Sequence, residues 1–404
     1  MLYSRNNLTL LYLFEFEQNV RNLAWLGIQN IQPGDKTKGD FSLFHFKLIS
    51  MKKIVKQVAG IDVAQKELVV CLGRMYDDWT PELHASKTFL NTAKGIASFV
   101  EWAEKLTDAS MPIRFVMEAT GVYHESLAYY LFGQGYAISV VLPNKISNYF
   151  RTLEVKTITD QTASQAIALF GLERKLEDWK RPNVVFKRLR QLVRERDQLV
   201  QERTIVKNQL HAEKSEAEPG SSSMMRMKKR ITLLDKQEME IKEEIQSIVK
   251  KDTSTNDAVK LISTIPGIGL LTAVTVLSET NGFELIRNKR QLTSYAGLDV
   301  VQKQSGTSVQ GKPRISKKGN KYLRKAMYLP ALSVIRCDER FKAIFTRVVV
   351  KKGIKMKAGV AVQRKLLEMT YTIFKTNQPY DKDYFKKEME KQSIKEDKIR
   401  AVIN

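Results

Sequence analysis

Apolar positions alternate with polar ones early in the chain, recur at helical spacing further on, and end as long heptad-like stripes. Val58–Asp62 (VAGID) and Glu67–Leu72 (ELVVCL) are β-rich runs on either side of a short polar turn, which predicts a hairpin, with Lys87–Leu90 as a third strand. Between Ala93 and Leu106 the apolar residues Ile96, Phe99, Val100, Ala103 and Leu106 fall at helical spacing. Ile113–Met117 (IRFVM) reads as a buried strand, Tyr123–Phe132 as a helix, and Ala137–Leu142 as a strand closed by Pro143-Asn144. A helix follows Asp160. The order βββαβαβα, a hairpin-led mixed sheet followed by βα units, is that of a ribonuclease H-like α/β fold.

From Phe186 to Lys251 the pattern changes to long, highly charged helices. Leu192, Leu199 and Val206 stand seven apart, with Leu189, Val193 and Leu210 near the same stripe; Ile231, Leu234, Ile241, Ile245 and Ile248 form a second stripe. The Pro/Gly/Ser-containing break EAEPGSSS separates them, so a coiled-coil hairpin is expected over 183–255. Spacing alone leaves open whether the stripe packs internally or joins two copies. A mostly helical domain is expected over 256–378. It starts with LISTIPGIGLLTAVTVLSE, which has the form of a helix–hairpin–helix element: Gly267 and Gly269 permit a tight turn whose amides can hold a phosphate without reading bases. An ordinary αα turn has the same composition.

The flanks differ. Residues 1–50 carry apolar clusters interrupted by Glu15 and Glu17 and lack a small-residue cleavage site, so they do not read as a signal peptide. Met51-Lys-Lys before a clear strand marks Met51 as the expected natural start and 1–50 as a non-native or accessory extension. The ribonuclease H-like domain is expected over 51–182, and a charged tail over 379–404.

Charge changes this picture most. The chain has 404 residues and a formal net charge of +23. The window 301–365 contains 12 lysines and 6 arginines against only Asp338 and Glu339, a net +16. Such density is self-repelling unless a polyanion covers it, and interleaved glycines, hydroxyls and aliphatics make it a foldable surface rather than a basic arm. Lys312, Arg314, Lys317, Lys318, Lys321 and Arg324 are the expected phosphate contacts. Cys71 and Cys337 are the only cysteines, and the four histidines are scattered, which excludes a disulfide framework or zinc cluster and fits a reducing, cytoplasmic setting. Leu261–Ser278 is uncharged over 18 residues, but Pro266, Gly267 and Gly269 within it argue against a membrane span.

Three carboxylates stand out. Asp62 interrupts an apolar strand, which is costly without a partner. Glu118 follows the IRFVM strand, and the topology sets these two strands side by side with their carboxyl ends together. Asp160 opens a helix and is the third. Hard oxygen ligands so placed suit Mg²⁺ ions that leave positions open for phosphate oxygens. Read singly, Asp62 can cap a turn and Asp160 can be a plain N-cap.

GIDVAQKEL, MEATGVYHESL, LPNKISNY and KTITDQTASQAIA, followed by IPGIG, YAGLDVVQKQSGTSVQGKPRISKKGNKYLRKAMY and VVKKGIKMKAGVAVQRKLL, resemble in that order the insertion-sequence one-ten family of transposases. The resemblance spans about 55–375. It implies a RuvC-like DEDD domain, a separate serine domain, Mg²⁺ held by the carboxylates, and a serine that attacks the phosphodiester. It also implies an element-encoded guide RNA, double-stranded DNA as substrate, a homo-oligomer, and action in the bacterial cytoplasm. Asp62, Glu118 and Asp160 match the first three acidic positions, and Ser305 in QSGTS matches the nucleophile. The fourth acidic position is Ala163; either water, Ser164 or a nearby acid such as Glu173 substitutes, or the chain is of a subgroup in which three carboxylates suffice. Read without the family, Ser305 is an ordinary loop serine with no nearby base, Ser308 is its rival, and Ser316 positions the RISKKGN turn. The competing functions are a RuvC-like endonuclease that cuts with water and a non-catalytic nucleic-acid-binding remnant.

Overall fold

The computed structural model describes residues 52–384, apart from Thr120, Lys156, Leu285, Lys303, Thr307 and Ser308. The extension 1–50, the start at Met51, most of the charged tail and Ser308 therefore lie outside the described residues. The chain divides into two compact units, one of residues 52–124 and 141–176 and the other of 125–140 and 177–384.

The first unit is built on β1 (Ile54–Val63), β2 (Glu67–Tyr76), β3 (Pro81–Leu90) and β4 (Ile113–Glu118), with α1 (Ala93–Leu106) between β3 and β4. Next in the chain come α2 (Glu125–Gly133) and β5 (Ala137–Val141), which up to residue 140 are counted with the second unit, and then α3 (Pro143–Phe150) and α4 (Asp160–Glu173) of the first. The strand order is β3-β2-β1-β4-β5. β1–β2 and β2–β3 are antiparallel and β1–β4 is parallel, with Gly60 opposite Val116 and Ile61 opposite Met117. A three-strand meander whose first strand pairs in parallel with the fourth is the ribonuclease H-like arrangement. The expected third strand is longer than its apolar end suggested, because Pro81–Ala85 is held by pairing with β2 rather than by burial. LPNKISNYF is a helix, not only the close of a strand: Pro143 occupies its first turn, where the missing N–H costs nothing.

Helix α4 determines where the carboxylates go. A Cβ on Gly60 would lie 2.2 Å from the Ala168 amide nitrogen and 2.5 Å from the Ser164 carbonyl oxygen; one on Gly171 would lie 2.7 Å from a Val58 methyl. Two glycines, one on each element, thus let helix backbone rest on strand backbone. Lys56 on β1 donates to the carbonyls of Gly171 (2.5 Å), Leu172 (2.9 Å) and Arg174 (2.8 Å), closing the C-terminal end of α4. Contacts thus run from residue 60 back to 56 on the strand as they run from 164 on to 174 on the helix. α4 is antiparallel to β1, and its N-terminus lies over the carboxyl end of that strand.

The second unit contains the hairpin of α5 (Val184–Lys214) and α6 (Ser221–Lys251), followed by α7 (Thr253–Ser263), α8 (Leu270–Glu279) and α9 (Lys289–Tyr295). The short strands β6 (Val300–Val301), β7 (Gln304–Ser305), β8 (Val309–Gln310) and β9 (Arg314–Ile315) precede α10 (Lys321–Ala326), α11 (Tyr328–Cys337), α12 (Glu339–Lys352) and α13 (Lys355–Thr376). Leu189, Leu192, Val193, Ile241, Ile245 and Val249 of the hairpin share one core with Ile262, Val274, Leu277, Phe283 and Leu366. These hairpin positions therefore pack internally. The seam also holds a buried acid, Glu238, paired with Arg196, Arg203 and Lys242. Among the described residues no helix is long and apolar enough to cross a membrane; the uncharged run is split between α7, a turn and α8.

Candidate active site

Asp62 shares a face of β1 with Gly60 and Val58, because side chains alternate along a strand. That is the face α4 covers. Glu118 follows Met117 as Asp62 follows Ile61 in the parallel β1–β4 register, so the two acids are neighbours on that face. Asp160 is the first residue of α4, at the end over the same strand terminus. Burial, then the charges of Asp160 and Glu118, push the Asp62 carboxyl up from 3.8 to about 6, against a backbone hydrogen bond from Val63 that favours its ionised form. The three acids expected to converge are electrostatically coupled.

Asp160 is not the helix cap. Thr159 takes that position, accepting from the Thr162 amide while the Thr162 hydroxyl accepts from the Thr159 amide. The carboxylate of Asp160 is thereby left for another role. Of the expected substitutes for the fourth acid, the two side chains do not fit. Ser164 is buried and donates its hydroxyl to the Gln161 carbonyl. Glu173 ends α4, about 20 Å of helix from Asp160. There it lies against the Tyr149 hydroxyl, which burial and that acid together push upward. Ala163, half-buried and one turn from Asp160, offers no oxygen.

Three hard oxygen donors gathered at one strand terminus, one of them raised by burial and by the charges of the other two, suit a divalent cation chemically. Among the described residues no three His, Cys, Asp or Glu side chains already stand at ligating spacing.

The serine and the basic surface belong to the second unit. Ser305 is exposed on β7, paired with Val309 across a two-strand ribbon that turns at Gly306 (φ +54°), with open space beside that glycine. Lys312, Arg314, Lys317, Lys318 and Lys321 are exposed. Arg324 departs from the expectation: it is half-buried and donates to the Ala296 carbonyl at 2.8 Å, so its guanidinium holds the turn together from within. Gly267 (φ +84°) likewise faces inward, where a Cβ would lie 2.9 Å from the Pro330 carbonyl oxygen. Gly269, which precedes α8 without a side-chain cap, has open space around it. Ser316 donates its hydroxyl to Asp299 and anchors the RISKKGN turn.

Sequence reasoning passed over Gly60, Lys56, Arg194 and Glu279. A glycine inside an apolar strand is the signal that would have found the first, since it marks close backbone approach. The others are single charged residues whose partners lie 85 to 118 positions away.

A family model describing a DEDD transposase of the IS110 group matches residues 59–213, and one described as "Transposase IS116/IS110/IS902 family" matches 259–346. The pilin gene-inverting protein of Moraxella bovis is 28% identical over 334 residues, 81% of this chain and 98% of that protein. The transposase for insertion sequence element IS1111A of Coxiella burnetii is 22% identical over 370 residues, covering 84% and 94%. Among solved structures, Thermus thermophilus RuvC in complex with a Holliday junction substrate aligns with 30% of this chain and 99% of its own, at 11% identity and a TM-score of 0.24.

Proposed function

The chain belongs to the IS110 family of transposases, and from that premise we propose that it cuts and rejoins double-stranded DNA through a covalent serine intermediate. The observation that carries the catalytic reading is the convergence of Asp62, Glu118 and Asp160 at the end of β1 that α4 covers, with Asp62 raised by burial and then by the other two. These residues would hold a divalent cation, Mg²⁺ being the hard ion such oxygens suit. When bound, the ion would polarise a phosphate oxygen and offset the charge of the acids.

Ser305 is the proposed nucleophile. Its Oγ is exposed, and Gly306 leaves room for a DNA backbone to approach. The Oγ–P bond forms as one P–O bond of the phosphodiester breaks; the serine proton passes to solvent and the leaving oxygen takes one up. One DNA end is left esterified to Ser305 and the other carries a free hydroxyl. The ester keeps the phosphodiester linkage, so joining to a new hydroxyl needs no ATP. Lys312, Arg314, Lys317, Lys318 and Lys321 neutralise backbone phosphates. Guidance to target and donor by an element-encoded RNA, and assembly as a homo-oligomer, belong to the same proposal and rest on the family.

The test is a protein–DNA adduct that survives denaturation. The adduct should map to the peptide containing Ser305 and be absent from Ser305→Ala. Recombination by Ser305→Ala at the normal rate would sink the serine step and leave hydrolysis by water, the RuvC-like endonuclease reading, in its place. Ala163 favours a second reading, a DNA-binding chain that has lost strand transfer. That reading predicts duplex binding with no cleavage at any Mg²⁺ concentration.

A further inference from the structure

Beneath the exposed lysines of the second unit lies an acid that no surface role explains. Glu279, the last residue of α8, has a side chain with 0% exposure. Burying a carboxylate is costly unless its oxygens are all occupied, and here they are. Arg194 of α5 donates Nε to Oε1 and an Nη to Oε2, each at 2.7 Å, a fork-to-fork pair. The Asn320 side-chain amide donates to Oε2 at 2.7 Å. The same Asn320 caps α10 with its carbonyl oxygen, accepting from the amides of Tyr322 and Leu323. Its backbone N–H reaches the Tyr295 carbonyl at 2.7 Å, and the Tyr295 hydroxyl returns to the Glu279 carbonyl at 3.0 Å.

Asn320 closes the turn Lys317-Lys318-Gly319. That turn has no slack. A Cβ on Gly319 would lie 2.4 Å from the Tyr295 carbonyl oxygen, and one on Gly297 would lie 2.6 Å from the Arg324 guanidinium and 3.1 Å from the Lys318 carbonyl oxygen. The backbone of residue 317 is left-handed (φ +53°), a conformation a lysine adopts only when its surroundings impose it. Two exposed cations thus stand on a strained turn that the Asn320 side chain ties, at its C-terminal end, to the buried Glu279.

We infer that Glu279 is the positioning residue of the DNA-contacting surface: through Asn320 it holds Lys317 and Lys318 in a preformed phosphate-binding geometry, and through Arg194 it links that geometry to the coiled-coil helix α5. The inference rests on the reading that this turn contacts DNA. Preorganised charge binds a polyanion without first ordering its own backbone, so loosening the tie lowers affinity although every lysine is still present.

The experiment measures binding of the full chain to a fluorescein-labelled duplex across a salt series, with circular dichroism and thermal unfolding alongside. Asn320→Ser keeps a capping oxygen for α10 and removes only the donor to Glu279. Asn320→Asp keeps the cap and sets a second carboxylate against the first. Both should lower the slope of log K against log salt by up to roughly two, one per released lysine contact, and weaken binding by about tenfold. The double variant Asn320→Asp with Glu279→Gln removes the carboxylate–carboxylate repulsion at the expense of the Arg194 Nη bond to Oε2, and should recover part of the slope. If Asn320→Asp does not fold, Asn320→Ser carries the test. Wild-type slope and affinity in the folded Asn320 variants would overturn the inference, provided that Lys317→Gln with Lys318→Gln lowers the slope in the same assay. If that lysine pair also binds normally, the DNA-contact reading falls and the positioning role with it.

Discussion

Asp62 is raised toward 6 by burial and by two acids that must share its face, and this has a consequence in stability. In the unfolded chain its carboxyl ionises near 3.8. Between about pH 4 and 6 the folded protein keeps a proton that the unfolded chain has lost, so the contribution of this group to stability falls as pH rises through that window. Asp62→Asn removes the repulsion. Its thermal unfolding midpoint should exceed wild type above pH 6 by a few degrees and converge with it below about pH 4. Mg²⁺ added at pH 7 should raise the wild-type midpoint and leave that of Asp62→Asn unmoved. Ala163→Asp, one turn from Asp160, adds a hard oxygen and should lower the Mg²⁺ concentration needed for half-maximal cleavage; an unchanged requirement would show that position 163 does not reach the ion.

The strand β1 and the helix α4 act as a pair, and their contact is made of backbone. Gly60→Ala drives a methyl into the Ser164 carbonyl and the Ala168 amide. Neither can move aside as a flexible side chain would, so the loss should be about 3 kcal/mol in urea unfolding, the upper end for overpacking. Lys56→Met keeps the aliphatic stem and removes the three bonds that close the far end of α4. A cost of about 2 kcal/mol is expected, together with a higher Mg²⁺ requirement, since the helix that carries Asp160 is then free to slide along the strand. A Lys56→Met variant with unchanged stability would show that the glycine contact alone sets the register.

Over the molecule as a whole, a formal charge of +23 makes binding to any nucleic acid strongly salt-dependent. Sequence alone cannot say which cations contribute. The exposed Lys312 and Lys317 should each lower the salt slope by roughly one when replaced by Gln. Arg324, bonded to the Ala296 carbonyl, should instead lose thermal stability on replacement by Gln with little change in slope. Equal slope losses at all three positions would contradict the inward placement of Arg324.

The periodicities of 58–72, 93–106 and 113–141 made the succession of strands and helices legible, because alternation and helical spacing are local properties of a chain. Asp62 and Glu118 were legible for a related reason: an acid at the end of an apolar run conflicts with burial, and the conflict is visible in one dimension. The heptad stripes of the hairpin were readable in the same way, though their inward packing onto the α7–α8 core was not. Only the folded chain decided that Thr159 and not Asp160 caps α4, that Ser164 and Glu173 cannot replace the fourth acid, and that Arg324 and Gly267 turn inward while Lys317 and Lys318 stay exposed. Each of these depends on where a side chain points and which distant atom it meets. Arg194 and Glu279 are 85 residues apart, and no local period relates them. Their pairing exists because helices α5 and α8 pack on one core, and the cost of burying Glu279 is offset only once that packing has brought the arginine to it.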